Sequence, residues 1–225
     1  MRLVALFAAL LMSLIFPLVT SCTGSGELKA TLPDGTALLA DSAKAMRTVT
    51  TTHFTIDVQD KVPTVPLQSA DGRLKRDGSA KGTAKVNQGG QLVELEFVIL
   101  GDTLYLRLPT GPVQKLPLSF AGAVYDPSLI LDPDRGVAAV LASGTGATTE
   151  NREQVNGVDS YHLKVNFPAH PLGTLLPGTP QNKTGDVWVA VQGSRLVQAQ
   201  FPATDGTITV RFSEFDAPVE IIPPV

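Results

Sequence analysis

Hydrophobic positions along the chain change their spacing twice. From Leu3 to Val19 nearly every residue is apolar. Between about Pro33 and Val49 the spacing becomes helical: Leu38, Ser42, Ala45, Met46 and Val49 fall on one face, while Asp41, Lys44 and Arg47 point away. From there the period shortens to two. Phe54, Ile56 and Val58 alternate with Thr55, Asp57 and Gln59, and Val93, Leu95, Phe97 and Ile99 are interleaved with Glu94 and Glu96. Leu104, Leu106 and Leu108 do the same around Tyr105 and Arg107. Such alternation predicts strands with one buried and one wet face. Asn87-Gln88-Gly89-Gly90 and Gly101-Asp102 mark hairpin turns.

The middle of the chain reads as helical. Asp126-Pro127 and Asp132-Pro133 each set a capping carboxylate before a proline at a first helical position. The second opens a run in which Val137, Val140 and Leu141 share a face, ended by Gly144-Thr145-Gly146. Further strands are predicted at Thr149–Gln154, Tyr161–Phe167, Asp186–Val191, Leu196–Phe201 and Gly206–Ser213. Ala169–Gln181 reads as a loop or short helix with an apolar centre at Leu172, Leu175 and Leu176. The fold class is α+β: one antiparallel sheet of roughly nine or ten strands with helices on one face. A sheet that wide must curl or close.

The N-terminus sets the compartment. Arg2 precedes the apolar run, and Val19-Thr20-Ser21-Cys22 places two small residues before a cysteine. This is the layout of a secretory signal, and the cysteine resembles that of a bacterial lipobox. Residues 1–21 are expected to be removed, Cys22 to be acylated, residues 22–33 to form a tether, and 34–225 the domain. An uncleaved transmembrane anchor is the competing reading, because the run is long enough for a ~30 Å hydrocarbon core. Cys22 is the only cysteine, so no internal disulfide can form. Loss of residues 1–21 removes Arg2 and no acid, leaving 17 Lys+Arg against 21 Asp+Glu, a net charge of −4. Mild acidity argues against nucleic acid as a partner.

Reactive constellations are missing from the sequence pattern. His53, His162 and His170 have no metal-ligand spacing, and no G-x-S-x-G elbow occurs. Asp132-Pro133-Asp134-Arg135-Gly136 begins like a calcium loop but lacks the later ligands. Gly144-Thr145-Gly146 has no lysine after it, so it is no phosphate loop, and the sequon Asn182-Lys183-Thr184 carries little meaning in a bacterial lipoprotein. No metal or cofactor is expected, and binding outranks catalysis.

Tyr125-Asp126-Pro127-Ser128-Leu129-Ile130-Leu131-Asp132-Pro133-Asp134-Arg135-Gly136-Val137 resembles the "YDP…LDPDRGL" segment of the LppX/LprA/LprF/LprG lipoproteins of mycobacteria and relatives. Val155-Asn156-Gly157-Val158 follows at the family's spacing. Phe97-Val98-Ile99-Leu100 with Leu104-Tyr105, and Val187-Trp188-Val189 with Leu196-Val197-Gln198, match two of its hairpins. Phe212-Ser213-Glu214-Phe215 stands where the family has "LSxWG", Phe215 and the absent glycine being departures. The resemblance runs from about Asp34 to Pro224. It implies a strongly curved half-barrel sheet with helices across its concave side, and between them a hydrophobic cavity for the acyl chains of a lipid or glycolipid. It implies no catalytic residue, a monomer held to the membrane through Cys22, and, for some members, work alongside a membrane transporter. By the same matching Ala84 falls on the cavity wall, and Val86 shares its face by period two. Val93, Leu95, Phe97 and Ile99, then Leu104 and Leu106, are neighbouring walls, with Val137, Val140 and Leu141 on the helical side. Plain core packing is the competing reading for each of these residues. A non-catalytic envelope scaffold with a filled core is the competing function.

Overall fold

Eleven strands form one antiparallel sheet in this computed structural model, which describes residues 31–59, 67–119, 129–175, 183–203 and 206–224. The signal segment, Cys22, Asp126-Pro127, Leu176 and Asn182 lie outside these residues. In chain order the strands are β1 (Thr51–Gln59), β2 (Leu67–Lys75), β3 (Ala80–Gln88), β4 (Gln91–Leu100), β5 (Thr103–Arg107), β6 (Gln114–Pro117), β7 (Thr145–Val155), β8 (Val158–Phe167), β9 (Lys183–Ala190), β10 (Leu196–Ala203) and β11 (Gly206–Ser213). The helices that lie wholly within the described residues are α1 (Gly35–Arg47), α2 (Val137–Ser143) and α3 (Ala169–Leu175).

The strand order is β6-β5-β4-β3-β2-β1-β11-β10-β9-β8-β7. Chain neighbours pair outward on both sides of a central β1–β11 pair, so β6 and β7 are open edges and the chain that joins them carries α2. Two-residue turns set the local register. Gly89 and Gly90 have φ of 61° and 87°, the double left-handed geometry of a tight hairpin, and Asn87 Oδ1 accepts the Gly90 N–H at 2.9 Å. Asn156-Gly157 does the same between β7 and β8, with φ of 52° and 79°.

One face of the sheet is mostly apolar and carries the helices. Phe54, Ile56 and Val58 of β1 pair with Phe212, Val210 and Ile208 of β11, and Leu163 of β8 with Val187 of β9. These join Leu39, Met46, Val140, Leu141 and Leu172 of the helices in a single core. Across β2 and β3 the sheet bends tightly. Gly72 and Gly82 are register partners, and a Cβ on Gly82 would lie 2.1 Å from the Asp71 carbonyl oxygen. Only glycine permits that approach of two backbones.

Several expectations need correction. The sheet has eleven strands rather than nine or ten, the additional ones being β2 and β6, whose sequences carry no clear apolar alternation. β5 ends at Arg107, and Leu108 is exposed. Helix α1 begins after Asp34, whose Oδ1 accepts the Ala37 N–H at 2.8 Å. Its buried stripe is Gly35, Leu39, Ser42, Ala43 and Met46, with Leu38 and Ala45 at the margins. Gly35 is there because the helix start presses on the Ala147 backbone. Asp132-Pro133 does not start a helix. The Asp132 carboxylate accepts the N–H groups of Asp134 and Arg135, both at 2.9 Å, closing a turn. The helix starts only at Val137, with Gly136 as its N-cap. A Cβ on Gly136 would meet the carbonyls of Leu129, Ile130 and Asp132 within 2.5 Å, so this turn also demands glycine.

Candidate functional site: the apolar concave face

The helices lie over one part of the apolar face. α2 directs Val137, Val140 and Leu141 toward the sheet, and α3 directs Leu172 and Leu175. With Ile130 they bound an apolar cavity of about 50 Å³ against Phe167, Val187, Leu196, Ala199, Phe201, Val210 and Phe212 of β8–β11. Phe167 and Phe201 meet edge to face, with ring centres 5.5 Å apart. Gly144 lets the end of α2 sit down on this layer, since a Cβ there would meet Val165 at 2.7 Å and Leu39 at 2.8 Å. α3 is short and broken at His170, whose φ and ψ are −112° and 125°. A dry apolar cavity of ~150 Å³ takes one benzene, so this cavity alone is too small for an acyl chain.

The same face continues over β2–β5 with less cover. Register pairs Ala84 with Ala70 and Leu95, Val86 with Val93, Phe97 with Leu106, and Ile99 with Leu104, all on the inner side. Ala84, Ile99 and Leu104 are buried, whereas Val86, Val93, Leu95, Phe97 and Leu106 are only half-buried. Ala70, Gly72, Gly82 and Ala84 make this part of the sheet shallow, and large apolar side chains stand beside it on β4 and β5. Among the residues expected on a cavity wall, Val137, Val140 and Leu141 line the small cavity under the helices. The β3–β5 set forms the adjoining wall, outside that cavity. The aromatic floor at Phe167, Phe201 and Phe212 was not anticipated. Its period-two pattern had predicted strands, but a strand position facing a core and one facing a cavity have the same pattern.

The opposite face is polar and laced with ion pairs. Asp57 pairs with Arg211 at 2.6 Å and Lys85 with Glu94 at 3.5 Å. Arg73 pairs with Glu214. His162 stacks on Trp188 at 4.5 Å between ring centres, and its Nε2 is 2.8 Å from Asp186. Burial pulls the Asp186 carboxyl upward, but the hydrogen bonds from Lys164 and His162 outweigh it and hold the group below the usual carboxylate range. None of these groups lines the apolar cavity. Among the described residues, no three His, Cys, Asp or Glu side chains converge as metal ligands, and no helix is long and apolar enough to cross a membrane.

This architecture has known counterparts. LprF from Mycobacterium bovis superposes with a TM-score of 0.77 at 24% identity, covering 84% of this chain and 96% of that one. LppX from Mycobacterium tuberculosis gives 0.64 at 22%, covering 83% and 98%. At those identities the likeness establishes the fold, a single curved antiparallel sheet with helices on one side. In sequence, the chain is 36% identical over 217 residues to a Mycolicibacterium smegmatis protein named lipoarabinomannan carrier protein LprG, covering 92% of this chain and 90% of the relative. The protein of that name in Mycobacteroides abscessus is 33% identical over 219 residues, covering 92% and 91%. The family model described as LppX_LprAFG lipoprotein matches residues 34–221, which is nearly the whole folded region. The chain therefore belongs to the LppX_LprAFG lipoprotein family.

Proposed function

We propose that this protein is an extracytoplasmic lipoprotein, anchored through Cys22, that shelters the acyl chains of a lipid or glycolipid on its concave face and carries it within the cell envelope. The observation that carries this reading is the half-buried wall of Leu95, Phe97 and Leu106 beside the shallow Ala70–Ala84 strip. Soluble proteins seldom leave contiguous apolar surface open without a use for it. Each methylene moved from water onto that wall gains ~0.8 kcal/mol, so a chain of ordinary length supplies enough to hold a lipid outside a bilayer. Sugars and phosphates stay at the rim, because burying them unpaired is costly. The cavity under α2 and α3 adjoins this wall through the same core. The carrier names of the LprG relatives support the reading. On it, the protein has no catalytic step: it binds and releases.

Native mass spectrometry tests this. A Cys22→Ser chain without its first 21 residues, purified from a lipid-rich host, is expected to carry a non-covalent acylated lipid that organic extraction removes. A clean apo mass, together with no uptake of a fluorescent fatty acid, would overturn the proposal in favour of a scaffold with a filled core.

A further inference from the structure

The polar face of the sheet is hollowed where β1–β4 bend. Two hollows of about 530 and 470 Å³ lie side by side there and share Asp71 and Thr83. Both are shallow and open to solvent, and together they make a groove across four strands. Its charges nearly cancel: Asp57 pairs with Arg211, Lys85 with Glu94, Arg73 with Glu214 and Glu96 with Arg107 at its margin, while Asp71 faces His53 and Lys81 adds one more cation. A matched pair attracts neither a polyanion nor a polycation, yet keeps spare N–H groups and carboxylate lone pairs for hydrogen bonds. Asn156, at the β7–β8 turn, adds an amide that both donates and accepts. The ligand that suits such a surface is an uncharged chain rich in hydroxyls.

The groove is placed to receive one from the other face. Lys85 and Glu94 point outward from the strand segments whose Ala84, Val86, Val93 and Leu95 point inward. The tight Gly89-Gly90 turn separates the two surfaces, and Lys85 lies four residues from Gly89, ~13 Å along a strand. We propose that this groove binds the neutral sugar chain of the carried glycolipid, folded over the β3–β4 turn from acyl chains lying on the concave wall. This rests on the carrier reading for the lipid half of the ligand, but not for the groove itself.

Amide NMR of the Cys22→Ser chain, titrated with an acyl-free mannose oligosaccharide, tests it alongside fluorescent fatty-acid binding. Saturable shifts at Thr55, Asp71, Thr83 and Lys85 are expected. Thr83→Tyr fills the shared part of the groove with a residue suited to strands, and should weaken sugar binding at least tenfold while fatty-acid binding is unchanged. Asn156→Gly keeps the left-handed turn while removing the amide, and should weaken sugar binding several-fold with the fold intact. Shifts confined to the concave face, or none that saturate by ~10 mM, would overturn the groove whatever the fatty acid does. Sugar shifts in the groove with no fatty-acid binding would support the groove and overturn the acyl-carrier reading.

Discussion

The Asp132 carboxylate accepts two backbone N–H groups and a charged hydrogen bond from Arg135 at 2.7 Å. The Arg135 guanidinium first, and then the backbone donors, hold its carboxyl below the ordinary value of 3.8. A carboxyl lowered on folding stabilises the native state above the unfolded value, and the benefit fades as pH falls through the lower folded value. Asp132→Asn keeps the side-chain shape and removes the charge. Urea unfolding should show the variant less stable by about 1 kcal/mol at pH 7, with the gap narrowing as pH falls below the ordinary value of 3.8. A gap equally wide at pH 3 and pH 7 would mean that the carboxylate's charge does nothing in this turn. At the same scale, glycine decides how the sheet bends: Gly82 sits where a methyl group would strike the neighbouring backbone.

Among the elements, α3 has the least to hold it. It is a seven-residue segment with a break at His170, and it is anchored by Leu172 and Leu175, 1% and 7% exposed. Leu172→Ala removes the deeper anchor and should cost roughly 2–4 kcal/mol in denaturant unfolding. A change near zero would mean that α3 does not dock as described. Elements with strong periodicity were legible in the sequence: α1, β1, β4 and β8–β11 fall where apolar spacing put them, within a few residues. β2 was not, because Gln68, Ser69, Asp71 and Gly72 have poor strand propensity, and the strand is held by its neighbours on both sides. β6 spans only Gln114–Pro117, too short for a period to show. The start of α2 was misjudged because Asp132 uses its carboxylate in the preceding turn, and no local rule separates that from a helix cap.

For the whole molecule, periodicity gave a wide antiparallel sheet with helices on one side, but it could not divide the inner face into filled and open regions. Ala84, Val140 and Phe201 all read as inward residues; only three-dimensional packing distinguishes the cavity under the helices from the half-covered wall. The resemblance carried by the Tyr125–Val137 segment pointed to that face and left its geometry open. Anchoring is a separate claim. Cys22→Ala should leave the chain without labelled fatty acid and shift it from the membrane fraction to soluble or unprocessed forms; normal labelling and partitioning would refute lipidation at that residue. With a tether reaching ~40 Å at most from Cys22 to Asp34, the proposed anchoring would keep the domain close to its own membrane. The claim that the concave face holds acyl chains is tested most directly by measuring thermal unfolding and bound lipid together on Ala84→Trp. If the wall is ligand space, the indole replaces ligand: the unfolding midpoint should stay within about 4 °C of the parent while bound lipid falls sharply. If the space is filled core, overpacking should cost about 1–3 kcal/mol or more, and a large loss of midpoint with no lipid on either protein would contradict the account.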